Sequence, residues 1–367
     1  MIDHHSSIRL EPISADALEA LAHGAGLTVP IEQAAVWDAF DVAVEGRTPW
    51  GRLAAYDADG RAVAVVSLTK YAGRGFFYLW AKHGPIWLTP PSADAPSADA
   101  PTADAPTADA PTADSERALR DALRTHVADL DPSIVFIRLH AHHEASDLRP
   151  LLQTVTYDET VEVDLTPSED DIMAAMSKTG RKKLRRTLRD EGFDLTEERG
   201  ISSAGFDELY SIYRETAQRD AFGIYPAEVY YSMLETLGDA ARLFVARRTD
   251  GPGAPGRAVS WVLSSFYDGV GQDYYGGSNL EGFETNAALR LKWHILISIK
   301  ADGGVRYDMM GVGSAKAPQL MGVRQFKLQF AEETTPVDPS WDVPVKTLTY
   351  RALTLALAGK RALRLRG

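Results

Sequence analysis

The sequence contains no cysteine, which excludes a disulfide framework and any thiolate metal site. No run approaches the roughly 18 apolar residues of a membrane-spanning helix. The opening segment, MIDHHSSIRLEP, lacks the apolar centre of a secretory signal. These absences lead us to expect a cytoplasmic protein. Positive charge is also in deficit. The formal net charge is −12 at pH 7, the wrong sign for a general nucleic-acid binder. What remains is a globular composition, 45% apolar and 25% charged over 367 residues, enough chain for two domains.

The basic residues that do occur are crowded. Arg181, Lys182, Lys183, Arg185, Arg186 and Arg189 share one short segment, and Lys360, Arg361, Arg364 and Arg366 close the chain. Local potential steers an anion more than total charge does, so both segments are candidate phosphate contacts.

Along the chain, ADALEALAHGAG and EQAAVWDAFDVAVEG read as helices. GRLAAYD, RAVAVVSLTKYA and GFFYLWAKHGPIW read as strands. An A-P-T-A-D repeat from about Ser92 to Asp114 has too little apolar surface to offset its ordering entropy and reads as a disordered loop. A helix, SERALRDALRTHVADL, and a strand, SIVFIRLHA, follow. From Val161 the order is β, α, β, α, α, β, β, β, α, β, which resembles an acetyltransferase-type α/β unit. Its first helical segment, TPSEDDIMAAMSKTGRKKLRRTLRDEGF, carries a Thr166/Glu169 capping box and a break near Thr179–Gly180.

Several local patterns in this second part stand in one order: VEVDL with MSKTGRKKLRRTLRDEGF; LYSIYRETAQRDAFGIYPAEVYY; DYYGGSN with a helix holding Trp293; GGVRYDMMGVG; and GVRQFKLQF with WDVPV. In that order they resemble the FemABX family, tRNA-dependent aminoacyltransferases that build peptidoglycan interpeptide bridges. The resemblance implies an α/β (α+β) chain of two tandem GNAT-like domains. The first spans 1–160 and the second 161–337, with a tail, 338–367, returning to the first. It implies transfer of an amino acid from aminoacyl-tRNA to the stem peptide of a nucleotide-linked or lipid-linked precursor, with no metal or other cofactor. The coiled-coil arm of some relatives is absent, since no heptad run of that length occurs.

The resemblance places the Phe326–Lys327 pair at the active centre. Transfer from a tRNA ester passes through an oxyanion, and a fixed ammonium stabilises charge that develops only there. Read alone, QFKLQF is a strand with Lys327 facing out. Asp308, after Tyr307 and before the Gly311–Gly313 turn, is either a turn cap or a carboxylate for the attacking amine. Tyr274 and Tyr275, with their glycines, are either core packing or a hydroxyl near the precursor. Arg219, Tyr225, Tyr230 and Tyr231 suit a diphosphate or sugar. At helical spacing Arg181, Arg185 and Arg189 share a side with Lys182 and Arg186 adjacent, either a solvated face or a contact for tRNA phosphates.

In the first part the resemblance rests on EQAAVW, with Trp37, and on the KHGPIW turn. Phe40 and Asp41 stand where relatives carry a lysine, leaving Arg47, Arg52 or Lys82 as substitutes. In the H-x-H-H cluster His140, His142 and His143, alternate residues His140 and His142 share a strand face and could chelate a metal, but without a clear third ligand the cluster reads as surface histidines. The basic terminal segment TLALAGKRALRLRG suits either a packed helix or an anionic membrane surface.

Two other functions compete. An acyl-CoA N-acetyltransferase needs a glycine loop opening a helix around the pyrophosphate. The nearest match, RTDGPG, lies in a hairpin turn, and Glu281 and Glu284 before the Trp293 helix would repel CoA. A non-catalytic binding protein is the other alternative.

Overall fold

The computed structural model describes residues 8–88, 111–152, 156–220, 222–249 and 256–364. The chain divides into two compact units, Met1–Thr156 with Asp338–Gly367, and Tyr157–Val337. Residues 250–253 of RTDGPG with the following 254–255, and the A-P-T-A-D repeat up to residue 110, lie outside the described residues. So do the side chains from Lys360 onward.

The first unit is built on an antiparallel meander. Arg9–Pro12, Arg47–Tyr56, Ala62–Ala72 and Phe77–Trp80 lie side by side, each antiparallel to the last. Phe77–Trp80 then runs parallel to Ile134–His140. The outermost strand, Ser340–Pro344, comes from the end of the chain and pairs antiparallel with Ile134–His140. Helix Ala113–Leu130 starts where Thr112 accepts a hydrogen bond from Ser115 N. Its Leu119, Leu123 and Val127, at helical spacing, are buried against Leu53, Val66, Leu79 and Ile137 of the sheet. Burying each such side chain contributes ~1.5–3 kcal/mol.

The second unit has its own sheet, with Phe193–Glu197, Ala241–Arg248, Ala258–Tyr267 and Val270–Ser278 antiparallel in turn. Val270–Ser278 runs parallel to Arg306–Asp308, which pairs antiparallel with Glu162–Asp164. Helix Ala287–Ala301 is apolar nearly all round, and Leu289, Leu291, Ile295, Leu296 and Ile299 fill the core.

Local details depart from expectation. The helical segment after Leu165 breaks at Met176–Ser177, earlier than Thr179–Gly180. Ser177 caps the second piece, Lys178–Thr187, by accepting from Gly180 N. Gly180 lies inside that helix, where a Cβ would stand 2.2 Å from Gln329 O. Its role is close approach, which a break signal imitates. The N-cap of Glu169–Ala175 is Ser168; Thr166 instead donates to Asp164 Oδ1 at 2.7 Å. QFKLQF is not a strand, for Met321–Lys327 is a helix. Phe326 and Phe330 pack edge to face at 5.8 Å, the i, i+4 contact of a helical turn. Among the described residues no helix is long and apolar enough to cross a membrane.

Candidate active site in the second unit

The seam between Val270–Ser278 and Arg306–Asp308 is short. It pairs Val270 with Arg306, Gly271 with Tyr307 and Gln272 with Asp308, then stops. Among the described residues, the longer strand has no strand partner on that side from Asp273 on. On its other side Leu263 faces Tyr275 and Ser264 faces Asp273, so Tyr274 is an extra residue, a bulge. Bulges kink a strand and re-aim its side chains, and they cluster beside functional sites.

Lys327 reaches this opening from the last turn of its helix. Its ammonium donates to Met310 O and Gly311 O, each at 2.9 Å. Glycines make that reach feasible. A Cβ on Gly313 would stand 2.4 Å from Met321 N, and one on Gly311 would enter the Tyr157 ring. Met310 sits at φ +62°, a conformation a side chain rarely adopts. Arg324, on the same helix, donates to Gly313 O and Glu159 at 2.6 Å each, fixing the helix to the loop. Burial draws the Lys327 ammonium down to about 8, opposed by the charges of Asp273 and Asp308 and assisted by Lys292. Two of its three N–H groups are spent on carbonyls, which leaves one for a ligand.

Behind the opening lies a polar cluster of which sequence reading named only Tyr307, as a substrate contact. Lys292, 2% exposed, donates to Asp273 Oδ1 and, at 3.2 Å, to the Tyr307 hydroxyl. Tyr307 is fully buried and donates to the same carboxylate, while Ser264 Oγ lies 2.6 Å from its oxygen. Burial and the Asp273 charge push the Tyr307 phenol well above its usual value, so it stays protonated. Burial lowers Lys292, against the pull of Asp273. A signal existed: Lys292 interrupts the apolar run around LRLKWHILISI on a helix buried nearly all round.

The other expected site residues divide. Phe326 packs on Phe330 beside the core. Asp308 accepts from Thr160 Oγ1 and, at 2.7 Å, from Met310 N, the hydrogen bonds of a turn cap. Tyr230 and Tyr275 meet at 4.6 Å in an aromatic cluster with Tyr213, and Tyr274 lies 6.3 Å from Tyr275. Gly276 and Gly277 serve packing: Cβ atoms there would strike Trp261 O and Thr216 Oγ1. Tyr230 is buried and its hydroxyl accepts from Tyr225 N, whereas the Tyr225 ring is 54% exposed. Tyr231 donates to Ile201 O. Arg219 is committed to Asp220 and to Ser278 O at 2.9 Å. Trp37 belongs to the first unit, where it is buried against Phe40.

The basic array is smaller than the spacing implies. Arg181 donates to Ala174 O and Met176 O and is spent inside the protein. The helix ends at Thr187, so Arg189 lies beyond its last turn. Lys182, Lys183, Arg185, Arg186 and Arg189 are exposed.

In the first unit, Asp41 is buried and accepts from Thr69 Oγ1 at 2.7 Å, and Arg52 is held by Asp38 at 2.9 Å. Lys82 lies over the rings of Trp37, Trp80 and Tyr71 at 4.9, 5.3 and 5.5 Å. His140 is held by Asp338 O and Ser340 Oγ, and burial draws it down to about 4. It is half-buried and held by hydrogen bonds, contrary to the surface reading.

Residues 174–327 match the family model described as an acetyltransferase (GNAT) domain. Among curated proteins no match is found. The crystal structure of FemX superposes with a TM-score of 0.68 at 13% identity, over 94% of this chain and all of that one. The C-terminal domain of a putative lysylphosphatidylglycerol synthetase from Agrobacterium fabrum gives 0.49 at 12% identity, covering 95% and 98%. A tandem GNAT protein from the clavulanic acid pathway gives 0.49 at 10%, covering 92% and 99%. The chain thus shares the α/β fold of FemX, and residues 174–327 of its second unit match an acetyltransferase (GNAT) domain.

Proposed function

We propose that this chain, which shares the fold of FemX, is an aminoacyltransferase moving an amino acid from aminoacyl-tRNA to the stem peptide of a peptidoglycan precursor. The observation that carries the proposal is Lys327, clamped on Met310 O and Gly311 O at the open seam with one N–H to spare. An ammonium there faces the oxyanion formed when an amine attacks the donor ester, or the ribose oxygen that leaves. Fixing it beforehand removes reorganisation from the reaction step. Exposed Lys182, Lys183, Arg185, Arg186 and Arg189 offer sequence-independent contacts for tRNA phosphates. A charged-tRNA donor puts the reaction in the cytoplasm. The basic terminal segment would allow contact with the inner membrane face if the precursor is lipid-linked.

The case against the acyl-CoA alternative loses one argument and keeps another. Glu281 does not stand as a bare repelling charge, because Arg248 and Arg257 pair with it at 3.2 and 2.5 Å. Yet the glycine between Ser278 and helix Ala287–Ala301 is not open to a pyrophosphate. A Cβ on Gly282 would stand 2.3 Å from Val259 O, so its small size serves packing.

The test is incubation with a set of charged tRNAs and both the nucleotide-linked and the lipid-linked precursor, with products read by mass spectrometry. We expect one precursor to gain the mass of one amino-acid residue, only when charged tRNA is present. Acetylation from acetyl-CoA without tRNA would overturn the proposal.

A further inference from the structure

We propose that Asp273, anchored from behind by Lys292 and Tyr307, is a positioning residue for Lys327 and keeps its ammonium charged in the open seam. The inference rests on the reading of Lys327 as the group that meets the developing oxyanion. Its geometry comes from the register. Gln272 faces Asp308, so Asp273 is the first residue beyond the pairing on one strand. Met310 and Gly311, whose carbonyls hold Lys327, are the second and third residues beyond it on the other. The pairing ends just before both, so Asp273 and the Lys327 ammonium, which feels the Asp273 charge, flank the same gap.

The anchoring is one-sided. Lys292 and Tyr307 both donate to Oδ1 of Asp273. Their side chains are sealed from water, while that of Asp273 is 18% exposed. The cluster therefore reaches the opening only through this carboxylate.

The groups facing the Lys327 ammonium are Asp273 on its strand, Asp308 on the neighbouring strand, and Lys292 on helix Ala287–Ala301. Asp308 is engaged by Thr160 and Met310 N. Burial favours the neutral amine and the two carboxylates favour the ammonium. The sign of each change follows. Removing the Asp273 charge makes Lys327 release its proton at lower pH. Removing the Lys292 charge leaves Asp273 undiluted and makes Lys327 release it at higher pH. A scaffold role would move neither, or both together.

The experiment needs no substrate. The full chain is labelled briefly with trace acetic anhydride across a pH series, and the extent of acetylation at Lys327 is read by peptide mass spectrometry. In the unaltered protein its midpoint should lie near 8, below the roughly 10.4 of a free lysine. Asp273→Asn should lower that midpoint by about 1 pH unit or more, and Lys292→Met should raise it. Tyr307→Phe, which keeps the ring and removes one neutral hydrogen bond to Asp273, should shift it less than either charge variant. Circular dichroism establishes that each variant is folded, and Asp273→Asn decides alone if Lys292→Met is not. An unchanged midpoint in Asp273→Asn, or shifts of the same sign in both charge variants, overturns the inference. Opposite shifts without any aminoacyl transfer would instead keep the coupling and sink the proposed reaction.

Discussion

In both units a parallel strand pair sits inside an otherwise antiparallel sheet. In the first, Phe77–Trp80 runs beside Ile134–His140, flanked by Ser340–Pro344. In the second, Val270–Ser278 runs beside Arg306–Asp308, flanked by Glu162–Asp164. The sheets share one order of neighbours, although the outer strand of the first arrives from the end of the chain. Their seams differ. In the first unit the pairing continues past Trp80, with Ala81 N bonded to Arg138 O and His140 N to Gly84 O. In the second it stops at Gln272 and Asp308.

The polar groups differ in the same sense. Arg138 and Asp342 in the first unit are 3% and 0% exposed, and Asp342 also accepts from Leu152 N and the Tyr350 hydroxyl. That network is enclosed and satisfied, and it holds the outer strand. Asp273, Lys292 and Tyr307 in the second unit are enclosed except at one carboxylate, which opens on the Lys327 gap. One sheet plan thus serves as a closed scaffold when its seam is zipped and as a candidate reaction site when it is left open.

The sharpest way to break this contrast is to strip the closed seam. Arg138→Met leaves Asp342 buried without its cation and should cost about 3–5 kcal/mol, read by chemical denaturation. A loss under 1 kcal/mol would mean the enclosed pair is not what holds that strand. In the open seam, Gly313→Ala forces Met321 N away and should cost about 1–3 kcal/mol, with a drop in turnover because Lys327 shifts with its helix. Full turnover in a folded variant would separate the glycine loop from the site. A pH profile sharpens the contrast further. In the proposed reaction Lys327 acts as an ammonium, which is lost as pH rises through about 8. Activity should therefore fall about tenfold per pH unit above that point; a flat profile to pH 10 would exclude it. The smallest effect belongs to the surface. Replacing Arg185 and Arg186 with Ser should reduce the salt dependence of tRNA use by a slope of about 1 to 2, and an unchanged slope would mark a solvated face.

Much of the second unit was legible because its strands and amphipathic helices are long and their patterns periodic. The failures have local causes. QFKLQF alternates apolar and polar residues like a strand. The decisive contact, Phe326 with Phe330, is also at helical spacing, and tertiary packing chose it. Gly180 read as a breaker because sequence does not reveal that a neighbouring carbonyl demands its small size. Arg181 read as surface charge because its carbonyl acceptors belong to another helix. Asp273 and Lys292 were passed over since 19 positions separate them and only the fold makes them a pair. The lysine and its aromatic neighbour were found through resemblance, not through pattern.

The most direct measurement is single-turnover transfer from charged tRNA to precursor, comparing the unaltered chain with Lys327→Ala and Lys82→Ala. If the open seam carries the chemistry, Lys327→Ala should lose about 10²–10³-fold in rate while remaining folded. Lys82→Ala, in the other unit, should leave the chemical step intact once precursor is saturating. A folded Lys327→Ala protein that transfers at the unaltered rate would contradict the account.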